Sequence, residues 1–125
     1  MILLLSVDDD EEGRELVQAG LKRLGYTVTT AASGKEGIEA ARGESPSLIL
    51  MDMCMPEMDG FEAVKQLKAD TATTDIPIIA LTSLNTTVDV QRAIDAGCDN
   101  FQTKPLNLPS LHIKIRRLVW RAANR

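Results

Sequence analysis

The chain is poor in aromatic residues. One Trp, one Tyr and two Phe make up 3% of its 125 residues. A core must therefore be built from Leu, Ile, Val, Met and Ala. Cysteine is scarce as well. Cys54 and Cys98 stand far apart with no metal-type spacing, and a single histidine, His112, cannot complete a zinc site with them. Reduced thiols in a cytoplasmic protein are the expected state. No run of about 18 apolar residues occurs, so no membrane-spanning helix is expected. Met1 to Leu5 is apolar, but no basic stretch precedes it and acids begin at Asp8, which argues against a signal peptide. A net charge of -4 gives the chain no general attraction to nucleic acid or to an anionic membrane. The last helix is locally basic (Lys114, Arg116, Arg117, Arg121, Arg125), which a solvated face explains about as well as a binding patch.

What is present is an ordinary globular composition, 44% hydrophobic and 26% charged, in a length that suits one domain. Residues 1–125 read as that domain, without repeats, linkers or low-complexity segments. Ile2 to Val7 is a short apolar run, as expected of a strand buried on both faces. Leu16, Val17, Gly20, Leu21 and Leu24 then give a helical stripe that Gly25 stops. Tyr26 to Ala31 alternates and is rich in Val and Thr, as strands are. Ser33 and Glu36 form a capping-box pattern for a helix to about Arg42. Strands are predicted at 47–51 and 76–81, the second with Pro77 near its start, where a missing N–H is tolerated. Helices are predicted at 61–69 and from Thr86 to Ala96, the latter stopped by Gly97. A fifth strand at 100–103 and a helix from Leu108 to about Ala122 complete the series. Strict alternation of this kind predicts an α/β fold, a doubly wound five-stranded parallel sheet with helices on both faces.

In open parallel sheets, ligands bind beyond the carboxyl ends of the strands. Asp8 and Asp9 follow the first strand, Asp52 the third, Thr82 closes the fourth, and Lys104-Pro105 follows the fifth. Each has a plain reading alone. The acidic run from Asp8 to Glu12 suits a helix N-terminus, Asp52 suits a turn, and Lys104 suits solvent. Their coincidence at strand ends points elsewhere. If the first and third strands are neighbours, three carboxylates converge and repel. A hard divalent cation relieves that repulsion. With Lys104 and the Thr82 hydroxyl opposite, the set suits phosphoryl transfer, in which Asp can act as nucleophile.

The stretches SVDDDEE, LILMDMCMPEMDGFE, IPIIALTS and AGCDNFQTKPL, in that order, resemble the receiver domain of bacterial response regulators in two-component signalling (the CheY-like superfamily) over essentially the whole chain. The resemblance implies a flavodoxin-like sheet of strand order 2-1-3-4-5. It implies Asp52 as phosphoacceptor and Asp9 as a direct ligand of Mg²⁺ (or Mn²⁺), with Asp8 acting beside it. The Cys54 backbone carbonyl completes the metal shell. Lys104 contacts the acyl phosphate, and its bond to Pro105 is cis in many relatives. Thr82 is the switch hydroxyl, Ser83 the small residue beside it, and Phe101 the aromatic that follows the threonine. The implied partners are a histidine kinase or histidine phosphotransfer protein and a downstream output domain or protein. The output face is formed by the fourth helix, fifth strand and fifth helix. Leu84 and Cys54 occupy positions that tune attack by water, and neither side chain positions water well, so a long-lived phosphoryl state is expected.

On the last helix, Leu108, Leu111, Ile115, Leu118 and Ala122 make a core stripe. Ile113 and Trp120 lie on the opposite side, which suggests a homodimer or partner contact on that output face. Three other functions compete. An Asp-nucleophile phosphatase needs a second acid two residues past the nucleophile, where Cys54 stands. A flavin carrier needs a Gly/Ser/Thr-rich phosphate cradle after the first strand, where five acids stand. A degenerate receiver would bind partners without phosphorylation.

Overall fold

The computed structural model describes residues 2–53, 55, 59–83 and 87–124. Apolar pentapeptides and amphipathic helices alternate as β1 (Leu3–Val7), α1 (Glu11–Arg23), β2 (Thr27–Ala31), α2 (Gly34–Glu44), β3 (Leu48–Asp52), α3 (Gly60–Ala69), β4 (Ile78–Thr82), α4 (Thr87–Ala96), β5 (Asn100–Thr103) and α5 (Leu108–Ala123). All strand pairs are parallel, in the order β2-β1-β3-β4-β5. The expected sheet is therefore the observed one.

Successive strand side chains point to opposite faces, and both faces are covered. Leu5, Val7, Ile49, Met51, Ile78 and Ala80 pack under α2, α3 and α4. Leu4, Leu48, Leu50, Ile79 and Leu81 pack under α1 and α5, against Leu21, Leu111, Ile115 and Leu118. Each fully buried Leu or Ile contributes about 1.5–3 kcal/mol. A sheet covered on both sides explains why β1, β3 and β4 read as continuous apolar runs rather than alternating ones.

The caps follow the sequence signals, with small displacements. Ser33 accepts the Glu36 N–H at 3.1 Å, and the Glu36 carboxylate reaches back to the Ala32 N–H at 2.9 Å, one residue earlier than the usual reciprocal bond. After α1, the N–H groups of Gly25 and Tyr26 bond to the carbonyls of Lys22 and Leu21. That closure needs a left-handed residue, and Gly25 supplies it with φ 96°. Pro77 lies just before β4 instead of inside it. The strand starts at Ile78, whose N–H is taken by the Asp99 carboxylate at 2.8 Å.

The α1 stripe is narrower than expected. Val17, Gly20 and Leu21 are buried, whereas Leu16 is 69% and Leu24 41% exposed. One residue is 100° of helical rotation, so Leu16 is turned off the face that Val17 buries. Ser6 is a second surprise within an apolar run. It is buried in the second half of β1, and its hydroxyl meets no hydrogen-bond partner among the described residues. A hydroxyl buried without a partner costs stability. Ser6→Ala is therefore expected to stabilise the fold by about 1 kcal/mol in urea denaturation; a loss of stability would mean that the hydroxyl is satisfied.

Cys98 is largely buried between α4 and β5 and unpaired. Burial, with the Asp99 carboxylate beside it, pushes its thiol up to about 12 against the opposing pull of Lys68. Thiolate is the reactive form. Iodoacetamide at pH 8 is expected to leave the Cys98 peptide unlabelled in the folded protein and to label it in urea. Equal labelling in both states would contradict this environment.

Candidate phosphoacceptor site

Because β1 and β3 are hydrogen-bonded neighbours, their carboxyl ends open at one place. Asp52 is the last residue of β3, and Asp8 and Asp9 follow β1 directly. Carboxylate oxygens of the three lie within 4.8 Å of one another, with Asp8 and Asp52 buried and Asp9 exposed. The rest of the acidic run does different work. Asp10 caps α1 by accepting the Gly13 N–H at 3.1 Å, and Glu11 and Glu12 occupy its first turn. The helix-terminus reading thus holds for Asp10, Glu11 and Glu12, and the site takes the first two acids.

The loop carrying Asp8 is fastened from several sides. Its N–H donates to Ala31 at 3.0 Å, its carboxylate accepts the Asp10 N–H at 2.9 Å, and its carbonyl accepts the Arg14 guanidinium at 2.8 Å. Arg14 was invisible in the sequence, because a contact from a helix to the preceding loop leaves no periodic signal.

Lys104 is placed from the other edge. Its N–H donates to the carbonyl of Thr82, and its bond to Pro105 is cis. Its ammonium lies 3.4 Å from the Asp52 carboxylate and 3.8 Å from that of Asp8. The Lys104 ammonium thus faces the two buried carboxylates of the cluster. The donor set is hard, charged oxygen with one exposed member, which fits a small divalent cation that keeps several waters.

Thr82 ends β4, beside the end of β3, and is buried. Ser83 follows it and is exposed. Phe101 on β5 is half-buried against the α2–α4 side of the core. Its carbonyl accepts the Lys114 ammonium of α5 at 2.8 Å, and the same ammonium reaches the Gln102 side chain at 2.8 Å. Cys54 and Leu84 lie outside the described residues, as does the expected start of the fourth helix at Thr86. His112 stands far from the acids in the fold. Its Nδ1 lies 2.9 Å from the Tyr26 hydroxyl, joining α5 to the start of β2.

The approach of α3 is as tight as the acid cluster. A Cβ on Gly60 would overlap the Asp52 carbonyl oxygen and lie 2.5 Å from the Met53 Cα. Only a glycine lets the first turn of α3 seat against the end of β3 this closely.

A parallel sheet of this order with acids and a lysine at its carboxyl edge defines the class. The sequence matches the family model of the response regulator receiver domain over residues 4–116. The chain belongs to that family, the receivers of two-component signal transduction. It is 36% identical over 118 residues to the transcriptional regulatory protein AfsQ1 of Streptomyces coelicolor, covering 94% of this chain and 51% of that protein. It is 35% identical over 118 residues to the DNA-binding dual master transcriptional regulator RpaA of Synechocystis, covering 94% of this chain and 49% of that one. The chain thus spans about half the length of these curated relatives. Among solved structures, chemotaxis protein CheY4 of Vibrio cholerae superposes with a TM-score of 0.89 at 32% identity, over 94% of this chain and 98% of that one. The receiver domain of sensor histidine kinase PA1611 from Pseudomonas aeruginosa, which has a magnesium ion in its active-site cleft, superposes with a TM-score of 0.88 at 30% identity, over 94% and 97%.

Proposed function

We propose that Asp52 accepts a phosphoryl group from a phosphohistidine on a histidine kinase or histidine phosphotransfer protein, and that the aspartyl phosphate switches the contacts of the chain with an output domain or protein. The observation that carries this reading is the meeting of Asp8, Asp9 and Asp52 within 4.8 Å, with Lys104 at 3.4 Å from Asp52. In the transfer, an Asp52 carboxylate oxygen attacks phosphorus. The N–P bond breaks, and the imidazole nitrogen leaves with the electron pair and takes up a proton. Positioning and charge neutralisation supply the rate. Lys104 would follow the phosphoryl oxygens. Asp8, Asp9 and Asp52 would hold Mg²⁺ (or Mn²⁺), with the carbonyl of Cys54 completing the shell. When bound, such an ion offsets the charge of the phosphoryl oxygens beside the carboxylates.

The switch would be local in origin. The Thr82 hydroxyl would turn to the phosphoryl oxygen, with the small Ser83 beside it leaving room, and Phe101 would fill the space behind Thr82. A phosphoryl group shifts the balance only as far as it favours one arrangement over the other. The bond from Lys114 to the Phe101 carbonyl supports a route to α5. The output face would be α4–β5–α5, where Val88 and Ile94 of α4 stand exposed and suit a homodimer or partner. On this reading the chain is a cytoplasmic regulatory phosphoacceptor whose only reactions are its own phosphorylation and dephosphorylation.

The test is incubation with Mg²⁺ and acetyl phosphate, read by intact mass. The expected result is a gain of one phosphoryl group that excess EDTA prevents. Should neither acetyl phosphate nor a phosphorylated histidine phosphotransfer protein give any gain, the alternative stands, namely an interaction module that works without phosphorylation.

A further inference from the structure

We propose that the outward face of α5 docks an acidic amphipathic helix of a partner protein. Trp120 is 69% and Ile113 52% exposed. Seven residues is two helical turns, so both stand on one side of α5. With Val119 and Ile2 they line an open apolar trough of about 660 Å³, rimmed by Arg116, Arg117 and Arg121. Val119 and Ile2 pack on the α1–α5 side of the core, and Lys114 reaches β5 on the opposite flank of the helix. Arg121, two turns after Lys114, stands on that flank, so the trough runs across the outward side of α5 from the α1 side to the edge of the α4–β5–α5 face.

Its charge is sharply segregated. The α5 segment holds Lys114, Arg116, Arg117 and Arg121 and no acid. That leaves 10 basic against 18 acidic residues, a balance of -8, in the remainder of the chain. This contrast decides between occupants. A second copy seated face to face would set arginine against arginine. A duplex or a membrane surface is an extended polyanion and would also meet the acidic remainder. Attraction over about 8 Å, the screening length at physiological salt, reaches only what sits in the trough. A helix with an apolar stripe flanked by Asp and Glu matches both the floor and the rim. Trp and Arg are also the residue types that dominate protein interfaces.

Trp120 is the only tryptophan, so its emission reports the trough directly. The probe is a synthetic helix about four turns long, with Leu at i, i+3 and i+7 and Glu on both flanks. A saturable blue shift is expected with this peptide and not with its Glu→Lys counterpart. The Arg116→Gln, Arg117→Gln double variant is expected to weaken binding about tenfold. Both arginines are exposed and remote from the acid site, so phosphoryl uptake from acetyl phosphate should be unchanged in that variant. This separates failure of the docking proposal from failure of the phosphoacceptor reading. No shift with the Glu peptide, or an equal one with the Lys peptide, would overturn the proposal. So would a response only to anionic vesicles or duplex DNA, or an emission that moves with protein concentration alone.

Discussion

Asp52→Asn is expected to abolish phosphoryl uptake from acetyl phosphate and, in metal-free buffer, to stabilise the fold. The first effect follows from chemistry. An amide is not a nucleophile towards phosphorus under these conditions, and no other acid of the cluster takes its place at the end of β3. The second follows from charge. Three carboxylates lie within 4.8 Å of one another, and the Lys104 ammonium faces two of them, Asp8 and Asp52. Exchanging the central Asp for a neutral group of the same shape removes its repulsion by Asp8 and Asp9 together with its attraction to Lys104. Asp9 is exposed and Lys104 partly so, which screens both terms. The net gain is on the order of 1 kcal/mol. Mg²⁺ should then raise the unfolding midpoint less in the variant than in the wild type, because one proposed ligand is gone. A variant that still gains phosphoryl mass would locate the acceptor elsewhere. A variant less stable than the wild type without metal would mean that the attractive contacts of Asp52 outweigh the carboxylate repulsion.

Gly60→Ala is expected to cost about 3 kcal/mol and to slow phosphoryl uptake. The added Cβ would press on the Asp52 carbonyl and the Met53 Cα. Both are backbone, which cannot swing aside as a side chain can, so either α3 lifts or the end of β3 shifts. Either movement displaces the Asp52 carboxylate. Gly43, near the end of α2, is the control, since a Cβ there meets nothing within 4 Å. Gly43→Ala should gain roughly 0.5–1 kcal/mol through helix propensity alone and leave uptake unchanged. Urea denaturation and the rate of mass gain read both variants. Equal effects at the two glycines would remove the steric argument.

Much of this molecule was legible in its chain because the signals are local. Alternating periods of strand and helix, Ser33 and Asp8–Asp9 at element ends, and Gly25 after a helix each act over a few residues. The acid site was legible for a similar reason. Strand carboxyl ends are marked by the end of an apolar run, and parallel topology brings those ends together whatever fills the interior. Even so, sequence alone left the acid run undivided. Capping geometry assigned Asp10 to the helix, and the pairing of β1 with β3 assigned Asp8 and Asp9 to Asp52.

Other features existed only in three dimensions. Leu16 belongs to the α1 stripe by spacing and to solvent by 100° of rotation. Ser6 hides in an apolar run, and its burial depends on what covers both faces of the sheet. Arg14, Lys114 and the Tyr26–His112 pair each join an element to a loop or strand that it does not resemble in sequence. Gly60 looks like any helix-starting glycine until α3 is set against β3. The chain by itself determined which elements form and which chemistry stands at their ends, because propensity and periodicity act between near neighbours. Tertiary structure alone decided which side chains meet, which are buried and how closely backbones approach. Those depend on distances between residues that only the packed sheet brings together.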